Sequence, residues 1–138
     1  MDLIIDANIL FAALLKDSTT RTILFNKKFE FIAPSYIFSE ISKYRNYIIK
    51  KVGINNEDFE ILLKLIFENI KIIPEAEYAK FAEELSKEIM DVKDIPYLAL
   101  ATFTNAEGIW THDLHFKQQD KVKVFSNMDL FKSIKEKD

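Results

Sequence analysis

Leu3-Ile4-Ile5-Asp6-Ala7-Asn8 is a short apolar run that ends abruptly in a carboxylate. Its β-branched residues, with no polar alternation, suit a central strand of a parallel sheet, buried on both faces. A carboxylate at the carboxyl end of such a strand lies at the crevice where open α/β sheets bind ligands. Asp6 therefore has two readings. It caps the helix that begins near Asn8, or it is the first ligand of a site. The rest of the chain has to decide between them.

Composition narrows the choice. A length of 138 residues favours one domain over 1–138 with one substantial core. Glycine is nearly absent, at 2 residues, which leaves no GxGxxG and no Walker A loop to cradle a nucleotide. The lack of cysteine removes disulfides, zinc ribbons and thiol catalysis. No apolar run approaches the roughly 20 residues that span a bilayer. The first strand begins with no basic leader or apolar signal segment, so a cytoplasmic protein is expected. A net charge of −3 argues against coating nucleic acid through bulk positive charge. It leaves room for an enzyme with a local basic rim and bound divalent cations.

Working outward from Asp6, the pattern predicts a helix over Asn8–Leu15, a polar turn at Asp17–Thr20 and a helix over Arg21–Lys28. Phe29–Ala33 reads as a strand. Ser35 is the expected cap of a helix over Tyr36–Lys51, whose buried face is Ile37, Ile41, Tyr44 and Ile48. Gly53 suits a C-cap, and Asn55 and Asn56 open a helix with Phe59, Leu62, Leu63, Ile66 and Phe67 in its apolar stripe. A strand over Ile70–Ile73 and a helix over Glu75–Met90 follow. Asp94 is a natural N-cap for an apolar helix over Leu98–Phe103, with Pro96 in its first turn. Strands over Ile109–Thr111 and Val122–Phe125, a helix over Met128–Ile134 and a charged tail complete the chain. Alternating strands and helices imply a parallel α/β sheet.

Four acids share one edge of such a sheet. Asp6 and Asp113 follow strands, Asp94 starts a helix, and Glu40 lies early in a helix that follows a strand. Glu40 sits beside the buried face and needs a partner, a metal or Lys43, unless it reaches solvent. Crowded carboxylates repel without a counter-charge. Mg²⁺ or Mn²⁺ prefers oxygen ligands, activates water and steadies the leaving oxygen of a phosphodiester. Asn8 and Thr111 are placed to orient carboxylates or waters. Asp91 precedes the same helix as Asp94 and rivals it as a ligand. Lys43 and Arg45, with Lys50 and Lys51, form a basic cluster on the helix of Glu40, either a guide for a phosphate backbone or a solvated face. His112 and His115 flank Asp113, but nothing completes a zinc site with them.

With those pieces in place, the sequence resembles the PIN domains, which include the toxin ribonucleases of bacterial and archaeal toxin–antitoxin pairs. The matching pieces are Leu3-Ile4-Ile5-Asp6-Ala7-Asn8, Ser39-Glu40-Ile41, Lys93-Asp94-Ile95-Pro96-Tyr97-Leu98-Ala99-Leu100-Ala101 and Ile109-Trp110-Thr111-His112-Asp113-Leu114-His115-Phe116. The resemblance implies a three-layer α/β/α fold with a parallel five-stranded sheet. It implies Mg²⁺ or Mn²⁺ held at Asp6, Glu40, Asp94 and Asp113, with Asn8 and Thr111 as polar neighbours. It implies an RNA substrate, hydrolysis leaving a 5′-phosphate, an antitoxin protein as partner and, with the abundant phenylalanine, a homodimer. A proline just after the third acid marks a less common variant than the typical toxin. A haloacid-dehalogenase-like phosphatase needs an aspartate where Asn8 stands, and a receiver domain needs adjacent early acids. The remaining alternative is a PIN-like scaffold that binds RNA or protein without cutting.

Overall fold

Strand β1 (Asp2–Ile5) is the middle of the sheet, and its Leu3, Ile4 and Ile5 are completely buried. Strand β2 (Glu30–Pro34) pairs with one edge of it and β4 (Gly108–Trp110) with the other. Strands β3 (Ile70–Ile73) and β5 (Val124–Phe125) flank these, giving the order β3-β2-β1-β4-β5, all parallel. This computed structural model describes residues 1–87 and 91–136, the side chains of residues 114 and 115 excepted.

Two paths leave β1. The chain first steps outward to β2 through α1 (Ala7–Leu14) and α2 (Ser18–Leu24), and then to β3 through α3 (Ile37–Val52) and α4 (Asn56–Phe67). It returns across the sheet to β4 through α5 (Glu75–Leu85) and α6 (Ile95–Thr104). Parallel crossovers are right-handed, so the outward and returning helices cover opposite faces. Helix α6 packs on β1, β2 and β4, while α1 packs on α2 and α3. The closing helix α7 (Asn127–Lys135) rests on β5 and α2. The result is a three-layer α/β/α fold. The chain diverges beside the carboxyl ends of β1 and β4, a topological switch point.

Several boundaries differ from expectation, each for a local reason. Helix α2 starts at Ser18 because the Asp17 carboxylate accepts from the Thr20 amide at 2.9 Å. Ser35 is not the cap of α3; Tyr36 stands there, while the Ser35 amide donates to Ile73 O and prolongs the β2–β3 pairing. Tyr44 is 41% exposed instead of buried, its ring set edge-on to Phe11. Helix α5 ends at Leu85, and residues 88–90 of the longer expected helix lie outside the described residues. Strand β5 is shorter than expected because the Gln119 side chain bonds both the amide and the carbonyl of Val122. Gly53 closes α3 at φ +77°, and Asn55 caps α4.

Gly108 is required by close approach. A Cβ there would lie 2.5 Å from both Lys123 O and the Phe125 ring. Among the described residues, no helix is long and apolar enough to cross a membrane.

Candidate active site

Asp6 stands at the N-cap position of α1, yet its side chain makes no capping hydrogen bond. It accepts instead from the Thr111 hydroxyl at 2.7 Å. The same hydroxyl accepts from the Asp113 amide at 2.9 Å. Thr111 is the first residue beyond β4, so one buried hydroxyl ties the ends of the two central strands together. The Asp6 amide donates to Trp110 O across the same junction.

Asp6 is only 4% exposed. Burial lifts its pKa from 3.8 to about 6; the Thr111 bond opposes the rise, and the charges of Glu40 and Asp113 add to it. Glu40, in the first turn of α3, is half-buried and accepts from the Tyr97 hydroxyl at 2.5 Å. Burial raises its pKa too, against the Tyr97 bond and the charge of Lys93, with Asp94 adding to the rise. Asp94 is buried at the start of α6 and makes no capping bond there. Asp113 is half-buried. Asp91 is exposed, and its carboxylate accepts from the Lys93 amide at 3.0 Å, closing a local turn.

These five acids and Asn8 line one cleft of about 460 Å³ at the switch point. Among the described residues, no three of them are placed to hold one ion together. The donor chemistry nevertheless fits a hard cation: all carboxylate oxygen, with Asp6 held protonated to unusually high pH by burial and by its acidic neighbours. Mg²⁺ keeps several waters and needs only one or two direct carboxylates. Such a cation would relieve the repulsion around Asp6.

The two basic candidates part company. Lys43 lines a small recess beside Glu40, together with Lys93 and Tyr36. Arg45 pairs with Glu60 of α4, lies 4.7 Å over the Phe59 ring, and is not among the residues that line the cleft. Helix α4 docks along that flank of α3 and takes it. His112 lies 3.0 Å from Asn127 Oδ1, and the side chain of His115 lies outside the described residues.

Sequence reasoning passed over Lys93 and Tyr97 as site residues. Tyr97 is three positions after Asp94, hence on the same helical face. Lys93 adjoins Asp94 directly.

The sequence pattern of the PIN domain family matches residues 4–125, from β1 to β5. This chain belongs to the PIN domain family. Comparison with curated proteins finds no match. Among solved structures, this PIN domain is similar to VapBC2 from Rickettsia felis bound to a DNA fragment from their promoter. The TM-score is 0.67 at 19% identity, over 91% of this chain and 98% of that one. At such identity the likeness concerns the fold.

Within this PIN domain Tyr97 acts on Glu40. Tyr97→Phe is expected to cost about 1.5–3 kcal/mol at most at pH 8, where the ionised Glu40 loses a part-buried charged hydrogen bond. Since that bond lowers the Glu40 pKa, the cost should shrink at acid pH, where the carboxyl is protonated. Urea melts at the two pH values check this. Equal costs at both would contradict it.

Proposed function

We propose that this PIN domain is a metal-dependent ribonuclease, the toxin of a toxin–antitoxin pair. The observation that carries the reading is Asp6: a buried carboxylate at the switch point, hydrogen-bonded to Thr111 and pressed by Glu40 and Asp113. A structural or capping aspartate gains nothing from that environment. A cation ligand does.

Asp6, Glu40, Asp94 and Asp113 would hold Mg²⁺ or Mn²⁺, directly or through its waters. Bound there, such an ion would supply an activated water and would neutralise charge on the phosphodiester. The chain itself orients the ligands. Thr111 aims Asp6 and fixes the backbone of Asp113; Tyr97 aims Glu40. Lys43 and Lys93, at the rim, meet the flanking phosphates. Attack of water on phosphorus, with the 3′ oxygen leaving, gives a 5′-phosphate. Neither Asn8 nor Asp91 is needed as a ligand here; both lie exposed on the cleft wall and adjust water or substrate.

The fold likeness to VapBC2 supports an antitoxin partner. Exposed Phe38, Ile61 and Leu65 on α3 and α4 supply apolar surface for a protein contact, whether with that partner or in a homodimer. One observation favours a second reading, a scaffold that binds without cutting: among the described residues, no three acids converge.

Cleavage of mixed single-stranded RNAs, with Mn²⁺, Mg²⁺ or chelator, separates the two. The expected result is cutting that needs both a metal and Asp113, and that Asp113→Asn abolishes. No cutting in any metal, together with no Mn²⁺ binding in a titration, establishes the scaffold.

A further inference from the structure

Glu40, Tyr44, Tyr47 and Lys51 recur at spacings of four, three and four along α3, which places them on one stripe. Glu40, Tyr44 and Tyr47 all line the acidic cleft. The two tyrosines are 41% and 57% exposed. Each has a lysine beside its ring: Lys43 Nζ is 5.9 Å from the Tyr44 centroid, and Lys51 Nζ is 5.6 Å from that of Tyr47. Lys51 also donates to the Tyr47 hydroxyl at 3.2 Å. The Tyr44 ring is braced by Phe11, 5.2 Å away and nearly perpendicular. Lys93 lines the same cleft and shares a recess with Lys43 and Tyr44.

Exposed aromatic faces interleaved with lysines match a chain in which flat bases alternate with phosphates. Stacking on aromatic rings needs a base free of its duplex neighbours, and the rings accept any base. A protein segment would find less here: the floor of the cleft is carboxylate and its rim is ammonium. Nucleic acid answers the rim with phosphates, and the floor through the cation already invoked.

We propose that Tyr44 and Tyr47 form a stacking platform for unpaired bases next to the phosphate to be cut, with Lys43, Lys51 and Lys93 on the flanking phosphates. The platform makes the protein selective for single strands over duplexes. It rests on the nuclease reading for its orientation toward the acids, and its test is kept separate from turnover.

Binding of a short labelled single-stranded RNA is measured by fluorescence anisotropy with Mg²⁺, on the full chain carrying Asp113→Asn to stop cutting. Adding Tyr47→Ala should weaken binding about 5- to 150-fold, the equivalent of roughly 1–3 kcal/mol per stacked base. Tyr47→Phe should restore it, because the ring face stays while the hydroxyl goes. The corresponding duplex should bind weakly and respond little to either change. Tyr44→Ala gives a second reading on the same scale, with a thermal melt to confirm folding after loss of the Phe11 contact. Single-strand binding unchanged by both alanines, absent altogether, or matched by the duplex overturns the platform. So does loss of a copurifying protein, rather than of RNA, in the tyrosine variants. Wild-type chain that cuts in no metal and binds no Mn²⁺ sinks the nuclease reading, while the anisotropy result stands by itself.

Discussion

Asp6→Asn is expected to abolish metal-dependent cleavage and, in the same molecule, to make the metal-free fold more stable. Loss of groups that merely orient metal ligands costs 10- to 100-fold, so removal of a central ligand should cost at least about 100-fold. The stability gain follows from the raised pKa. In the folded chain Asp6 binds its proton up to about pH 6, in the unfolded chain only to about 3.8. Above pH 6 both states are ionised, and the folded one bears the full burden of a buried charge. That burden fades as pH falls from 6 toward 3.8, where the folded state binds the extra proton. At about 1.4 kcal/mol per tenfold change in proton affinity, it amounts to roughly 3 kcal/mol. Asparagine keeps the shape and an oxygen to accept from Thr111, but not the charge. Urea melts at pH 7.5 should place Asp6→Asn above the wild type by up to that amount, the difference vanishing near pH 4. Mg²⁺ should stabilise the wild type and not the variant. If Asp6→Asn proved less stable than wild type at pH 7.5, the carboxylate would be contributing to the fold itself.

The largest loss of stability should come from Trp110→Ala. Trp110 is fully buried, its ring centroid lies 5.3 Å from that of Phe31, and its indole N–H donates to Asn127 Oδ1 at 2.8 Å. The Asn127 amide in turn reaches the Thr20 hydroxyl, so one side chain links β4, α7 and α2. Deleting the indole empties the centre of that junction. The expected cost is about 3–5 kcal/mol, a large share of the 5–15 kcal/mol typical of a domain. Activity should fall as well, because Thr111 is the next residue and positions both Asp6 and Asp113. Trp110→Phe fills much of the space and loses the hydrogen bond, and should cost about half as much. Denaturant midpoints for the pair decide it; an alanine variant within about 1 kcal/mol of wild type would mean that the junction repacks freely.

What could be read in advance depended on how local the cause was. The apolar run ending at Asp6 is legible because burial on both faces leaves no room for alternation. Gly53 and Asn55 are legible because caps are made of their own neighbours. The exposure of Tyr44 and the diversion of Arg45 were not. Helical spacing says which residues share a face of α3, and nothing about which flank α4 will occupy. The bond from Tyr97 to Glu40 spans 57 positions, so no window of sequence contains it. Thr111 was foreseeable as a polar neighbour, but its double hold on Asp6 and Asp113 exists only once β1 and β4 are paired.

That pairing has a consequence for synthesis. Strand β1 is made first and takes β2 on one side, but its other edge waits for β4, which begins only at Gly108 in the order of translation. Until then the ribosome carries a nascent chain that holds Asp6 and Glu40 without Thr111 or Asp113. A chain released early, or clipped ahead of β4, is in the same position. The hydroxyl that holds Asp6 and the acid whose backbone it fixes are therefore among the last parts of the cleft to be made, and the cleft is whole only once β4 has joined β1.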